Sequence, residues 1–238
     1  MQSDQSGPDH PGSDGRTARI LGILLLMQSA AGALVNFGLL GPVMSAPEGY
    51  LPGVAANEPQ VRAAALVGLA TGAVTIIIAI TAWPVFRRYS ERLALAFLSF
   101  STVSCTLLTL EHTHMLTLLS LGREYAQAGG PAELYLAAGT VVRSARRWAH
   151  YANLLTVGGA VLVLYLTLRR YSLVPGWLAG LGLLGATLHI IAVTLPLLGY
   201  PIIFQLIFPL GQSQLILAFW LMVRGFNPPV SPPGPAGA

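Results

Sequence analysis

The stretch LEHTHML, residues 110–116, places Glu111, His112 and His114 inside a long apolar run. A carboxylate and two imidazoles can exchange protons, ligate a metal or pair with a cation, and each is costly in hydrocarbon. Glu111 and His114 have the Glu-x-x-His spacing of ligands on one helix face. Di-iron bundles use two such pairs with further glutamates, so one pair is a weak signal. His112 and His114 are about 200° apart on a regular helix and cannot grip one ion together. His150 and His189 also fall in apolar runs. Two histidines on different spans, His112 with His150 or His114 with His189, are a candidate pair for axial ligation of haem b. The plainer readings are a structural ion pair for Glu111 and hydrogen-bonded packing for the histidines. No CxxCH motif is present, which excludes covalent haem. Ser, His and acidic residues occur, but nothing resembles a nucleophile elbow, and no catalytic residue is assigned.

The elements that must position these groups are set by composition. Of 238 residues 54% are hydrophobic and 9% charged, against about a quarter charged in soluble domains. The bilayer is therefore the first partner. The net charge of +4 comes entirely from arginine, and the absence of lysine removes Schiff-base and lysine-nucleophile chemistry. The arginines sit at span ends rather than in a basic patch beside exposed aromatics, which argues against nucleic acid. Cys105, the single cysteine, allows neither an internal disulfide nor a paired-thiolate metal site.

The fold expected is all-α, a polytopic membrane bundle of six transmembrane helices. Residues 1–15 read as a disordered polar tail and 227–238 as a Pro-rich tail of the same kind, around a membrane domain of residues 16–226. The spans fall at about 19–41, 62–84, 92–121, 147–168, 176–199 and 201–223. They are continuously apolar rather than alternating, which disfavours barrel strands. The apolar core of the first span exceeds the roughly 7–15 residues of a cleaved signal peptide. Arg16, Arg19, Arg87, Arg88, Arg92, Arg169, Arg170 and Arg224 fall on one side, which predicts cytoplasmic N- and C-termini. The opposite side carries Glu48 and Glu58, and also Arg123, Arg143, Arg146 and Arg147. That exception predicts an outward extension of the fourth span.

Sorted by depth, the polar side chains of the spans fall into roughly one slab in the outer half. Glu111, His112 and His114 come from the third span, His150 and Asn153 from the fourth, and His189 from the fifth. Asn36, Gln205, Gln212 and Gln214 add to it from the first and sixth. Arg143, Arg146, His150 and Asn153 share a stripe, so Glu111 is expected to pair with Arg146 or Arg147 across antiparallel neighbours. His112 shares a different stripe with Ser101, Cys105 and Thr109. His189 shares its face with Gly182, Gly185 and Ala186, small residues that let helices approach. The Thr71 and Thr75 hydroxyls are expected to bond back to their own helix.

Local signatures along the chain resemble one bacterial membrane family, domain of unknown function 4386. They are TARILGILLLMQSAAG, AANEPQVRAAAL, LALAFLSFS, SARRWAH, SLVPGWLAGLGLLGA and SQLILAFWLMVRGFNP, covering about residues 16–228. The resemblance implies a six-span helical protein of the bacterial cytoplasmic membrane with both termini inside. It supplies no reaction. The chain departs from the family pattern at Ser101 and Ser104, where an Arg and a Glu are usual, and at Gln214, where a Glu is usual. Glu111, His112 and His114 stand where the family is apolar.

Three functional expectations follow. The first is a non-catalytic membrane protein that binds a small-molecule ligand, or serves an accessory role, through the polar slab. The second is a redox protein holding haem b or a metal ion through the histidines. The third is a small transporter or ion pathway with Glu111 as a proton-responsive group. Neither ligand identity nor oligomeric state is encoded in a motif.

Overall fold

A computed structural model describes residues 11–44, 50–127 and 132–228. Parts of both tails, with His10, Glu48 and Pro131, lie outside the described residues. Helix α1 (Pro11–Ala33) passes through a π-helical stretch (Leu34–Leu39) into α2 (Leu40–Met44). A short α3 (Tyr50–Ala56) precedes α4 (Glu58–Tyr89), α5 (Glu91–Gln127) and α6 (Ala132–Arg170). Then come α7 (Gly176–Thr194), extended by a 3-10 turn (Leu195–Leu198), and α8 (Phe208–Val223). Six of these units are long and apolar enough to cross a membrane, beginning with Asp14–Val43 and ending with Phe204–Val223. The disordered tail expected at 1–15 is corrected for residues 11–15, which already form the first turn of α1 ahead of its apolar residues.

The six long helices close a ring in chain order, α1 against α4, α4 against α5, and onward through α6, α7 and α8 back to α1. Antiparallel neighbours with short connections give this arrangement. One end gathers the start of α1, the α4–α5 turn, the α6–α7 turn and the end of α8. There Arg88 holds Asp14 through two hydrogen bonds, 2.8 and 2.9 Å. The Asn227 amide donates to the Leu173 carbonyl. This is the arginine end.

At the far end α5 and α6 overshoot. Their 37 and 39 residues span about 55 and 58 Å at 1.5 Å per residue, against about 30 Å of hydrocarbon. The arginine-bearing stretch before Trp148 thus extends α6 beyond the hydrocarbon length at this end. The link between the first two expected spans contains α3, which the sequence does not announce because seven residues are too few for a periodic signal. Leu51 and Val54 are buried, and Gly122 of α5 admits the α3 backbone. A Cβ at Gly122 would stand 2.9 Å from the Leu51 carbonyl oxygen.

Two apolar clusters fill the ring. The larger lies toward the arginine end and joins Leu21, Ile78, Phe86, Phe97, Leu164 and Leu217, with others. The smaller lies at the far end, around Val35, Val54, Val61, Met115 and Leu119. Between them the buried residues turn polar: Thr75 on α4, Ser101, Ser104, Glu111 and His112 on α5, Asn153 on α6 and His189 on α7. By helical rise this layer begins about 15 Å from the arginine end, at Ser101, and reaches about 32 Å, at His112.

Candidate functional site

The polar layer is built rung by rung. On α4, Thr71 and Thr75 donate to Val67 and Thr71 carbonyls. Such back-bonding satisfies a hydroxyl without a partner helix. Thr75 also accepts from Gln28 Nε2 of α1 at 2.7 Å. One face over, Ser104 Oγ donates to Asn153 Oδ1 at 2.7 Å and ties α5 to α6. His189 Nε2 donates to the Leu154 carbonyl at 3.0 Å, reaching α6 from α7. Gly158 makes room, since a Cβ there would meet His189 Cδ2 at 3.1 Å.

The top rung holds the charges. Glu111 is 3% exposed. Its Oε1 accepts from Arg146 at 3.1 Å, and its Oε2 lies 3.0 Å from His150 Nδ1. Both partners lie on α6, four residues apart, so one helix face presents them together. A buried carboxylate is tolerable only with such partners. Arg147 does not share the pairing. Its guanidinium lies over the Trp148 ring, 5.4 Å from the centroid. Above this rung the Arg143 guanidinium stacks on Tyr50 of α3 at 4.4 Å. Burial raises the Tyr50 phenol above its ordinary pKa, with the charges of Arg146 and Arg143 pulling the other way.

His112 takes a separate place, as the opposite stripe predicts. Its Nδ1 lies 2.8 Å from the Leu108 carbonyl of its own helix, which makes Nδ1 the donor. The other edge of the ring enters a notch at Gly68 of α4. A Cβ at Gly68 would overlap the ring, meeting Nε2 first and then Cε1 and Cδ2 almost equally, so the tip points into the notch. A metal about 2 Å from Nε2 would stand where α4 already packs. His112 as placed does not fit axial ligation of haem or metal. His150 has given Nδ1 to Glu111. His114 is half-buried, with Nδ1 enclosed and no hydrogen bond, and it does not join Glu111. Among the described residues, no three of His, Cys, Asp and Glu group closely enough to hold a metal ion.

Four of the proposed core groups need comment. Asn36 is exposed and donates to Gly32 of its own helix. It lies in the π-helical stretch, whose wider turn shifts the phase and buries Val35 instead. Gln205 is exposed because it sits in the 3-10 turn that opens the last span, before α8 begins. Gln212 is exposed because its neighbour Ser213 takes the inward face with Leu210 and Leu217. These three do not belong to the polar core. Gln214 is half-buried, with Oε1 enclosed and without a donor. Sequence reading missed Tyr50, Gly68 and the Gln28–Thr75 bond. Asn153 stands on the polar stripe of α6 in the sequence, but nothing there pairs it with Ser104.

A family model described as Domain of unknown function (DUF4386) matches residues 20–225. No curated protein and no solved structure matches the chain. With six membrane-length helices and a family match over most of its length, the chain belongs to the bacterial integral-membrane family DUF4386 and is a multi-pass membrane protein.

Proposed function

We propose that this protein is a non-catalytic membrane protein that receives a small polar ligand at the far end of the bundle, beside Glu111, Arg146 and His150. The observation that carries this reading is the burial of Glu111 near the hydrocarbon boundary, about 30 Å from the arginine end. A carboxylate at that level reaches water simply by turning outward. Here it turns inward to two groups of α6, near a short helix that packs on α5 and reaches α6 through Tyr50. An ion pair that only locked α5 to α6 accounts for the pairing. It leaves the enclosed, unpartnered polar atoms of His114, Arg146 and Tyr50 around it without a purpose.

The test is thermal unfolding of the full-length chain in an uncharged detergent against a panel of organic acids, amines and sugars. At least one class is expected to raise the midpoint of the wild type and to do so less in Glu111→Gln. A panel without effect overturns the reading. A Soret band in the purified protein, lost on His150→Ala, replaces it with the haem reading.

The same reading sets the arginine end in the cytoplasm. Eight arginines gather there, as the positive-inside rule requires. The five at the far end each have a partner: Arg62 and Arg123 with Glu58, Arg146 with Glu111, Arg143 with Tyr50 and Arg147 with Trp148. In a Cys105→Ser background, Ser172→Cys is expected to react with an impermeant maleimide only after permeabilisation. Labelling of intact spheroplasts reverses the orientation.

A further inference from the structure

The layer above Glu111 holds more positive charge than it neutralises. Arg143 and Arg146 lie about one turn apart on α6, and Glu111 is the one carboxylate bonded to either among the described residues. Arg143 rests on the Tyr50 ring, a contact that holds a cation without cancelling it. Glu58 is committed to Arg62 and Arg123.

Two donors at the same place are idle. The Tyr50 hydroxyl and Arg146 Nε are both enclosed; the Arg146 guanidinium lies beside the phenol oxygen, but neither the phenolic proton nor the Nε proton has an acceptor. Native structures seldom leave buried donors in this state, because their lost hydration is not replaced. The phenol keeps its proton, since burial raises its pKa, and although Arg146 can donate to the phenol oxygen it has no lone pair, so the phenolic proton still lacks an acceptor. A surplus cation with idle donors asks for an anion. Arginine's planar fork is the side chain best suited to carboxylate or phosphate oxygens.

Depth narrows the source. Arg146 and Arg143 stand 24 and 27 residues before the end of α6 at Arg170, about 36 and 40 Å along the helix. With about 30 Å of hydrocarbon, that is the headgroup layer. Both a lipid phosphate and a dissolved oxyanion reach it.

We propose that Tyr50, Arg143 and Arg146 form a binding site for a phosphate or carboxylate group. The assignment rests on the small-ligand reading above and gives that ligand its chemical class.

The experiment uses the full-length chain in an uncharged detergent and follows thermal unfolding at constant ionic strength. Sodium phosphate or sodium acetate is titrated against sodium chloride. In parallel, phosphatidylglycerol is added against a phosphate-free galactolipid. A saturable rise with the salts assigns a soluble oxyanion, and a rise with phosphatidylglycerol alone assigns a lipid phosphate. Either rise is expected to vanish in Arg143→Gln and to weaken in Tyr50→Phe, which keeps the ring under Arg143 and removes only the hydroxyl. Both variants serve only if their anion-free midpoints and elution volumes match the wild type; otherwise Arg143→Lys, which keeps the charge and loses the fork, is expected to retain part of the rise. Glu48, two residues before Tyr50 in the chain, is the nearest acid in sequence. Glu48→Gln is expected to leave the rise in place or enlarge it, and its loss there overturns the proposal. An unchanged rise in Arg143→Gln also overturns it. A rise with choline chloride or glycerol instead, lost in Glu111→Gln, overturns the anion assignment and keeps the ligand reading. No rise with any probe overturns both.

Discussion

The two halves of the ring solve the same packing problem with different forces. Toward the arginine end the interior is apolar, and in a bilayer an apolar side chain gains no hydrophobic energy by leaving lipid for a neighbouring helix. That half is held by shape. Gly182 of α7 is flat against the Tyr165 ring of α6, and Gly185 approaches the α8 backbone at Leu210. The polar layer and the far end are held by directed contacts, the Gln28–Thr75 and Ser104–Asn153 bonds and the pairing of Glu111 with α6. Shape tolerates small chemical changes and punishes volume. Directed contacts tolerate volume and punish the loss of one partner.

The largest difference should come from Glu111. Removing one member of a buried ion pair leaves the other uncompensated, at about 3–5 kcal/mol. Glu111→Leu is expected to lose about that much in reversible unfolding by denaturant, because Arg146 is left enclosed. Glu111→Leu combined with Arg146→Leu should recover a large part of the loss, since two apolar groups need no partner. If the double variant is as unstable as the sum of the singles, the pair is not the unit that holds α5 to α6.

Next come the glycines of the shape-held half. A methyl group at Gly182 would overlap the Tyr165 ring, and aromatic rings yield poorly. Gly182→Ala is expected to cost about 1–3 kcal/mol through overpacking. Gly180, two residues earlier on the same helix, has nothing within 4 Å of where a Cβ would stand. Gly180→Ala should therefore be neutral or mildly stabilising through helix propensity, by up to about 1 kcal/mol. Equal unfolding midpoints for the two variants would contradict the close approach of α6 and α7.

These contrasts also mark how far the chain could be read unaided. Six spans, the antiparallel pairing of α5 with α6 and a partner for Glu111 at Arg146 or Arg147 follow from hydropathy and from a 100° turn per residue, and the structure selects Arg146. Both signals persist over many turns, so small errors of phase do not matter. Asn36 fails because the π-helical stretch resets the phase at that point. Gln205 fails because a 3-10 turn replaces the first turn of the span. Tyr50 fails for another reason. Its partner Arg143 is 93 residues away, and nothing local in the sequence says that α3 folds over α6. The notch at Gly68 is equally silent, since only its fit to His112 distinguishes it from other helical glycines.

A smaller effect is expected within the polar layer. Hydrogen bonds between membrane helices average about 0.6 kcal/mol, because the separated helices find other partners. Ser104→Ala should cost about that, leaving Asn153 Oδ1 without its donor. Thr75→Val should cost a similar amount by removing the acceptor of Gln28. A loss of several kcal/mol from either, in the same denaturant titration, would mean that the layer acts as one network rather than as separate rungs.

The smallest effect should fall on an ion pair with the better geometry. Arg88 grips both oxygens of Asp14 at 2.8 and 2.9 Å, whereas Arg146 reaches one oxygen of Glu111 at 3.1 Å. Distance alone ranks Asp14 first. Exposure reverses the order: the Arg88 and Asp14 side chains are 46% and 36% exposed, the Arg146 and Glu111 side chains 15% and 4%. Water and salt screen the outer pair, and exposed pairs are worth about 0–1 kcal/mol. Asp14→Asn is accordingly expected to shift the unfolding midpoint barely, and less still at high salt. Glu111→Gln should retain most of its penalty when salt is raised, because its surroundings admit few counterions. A salt series on the two variants separates the cases, and equal sensitivity to salt would mean that Glu111 is reached by solvent.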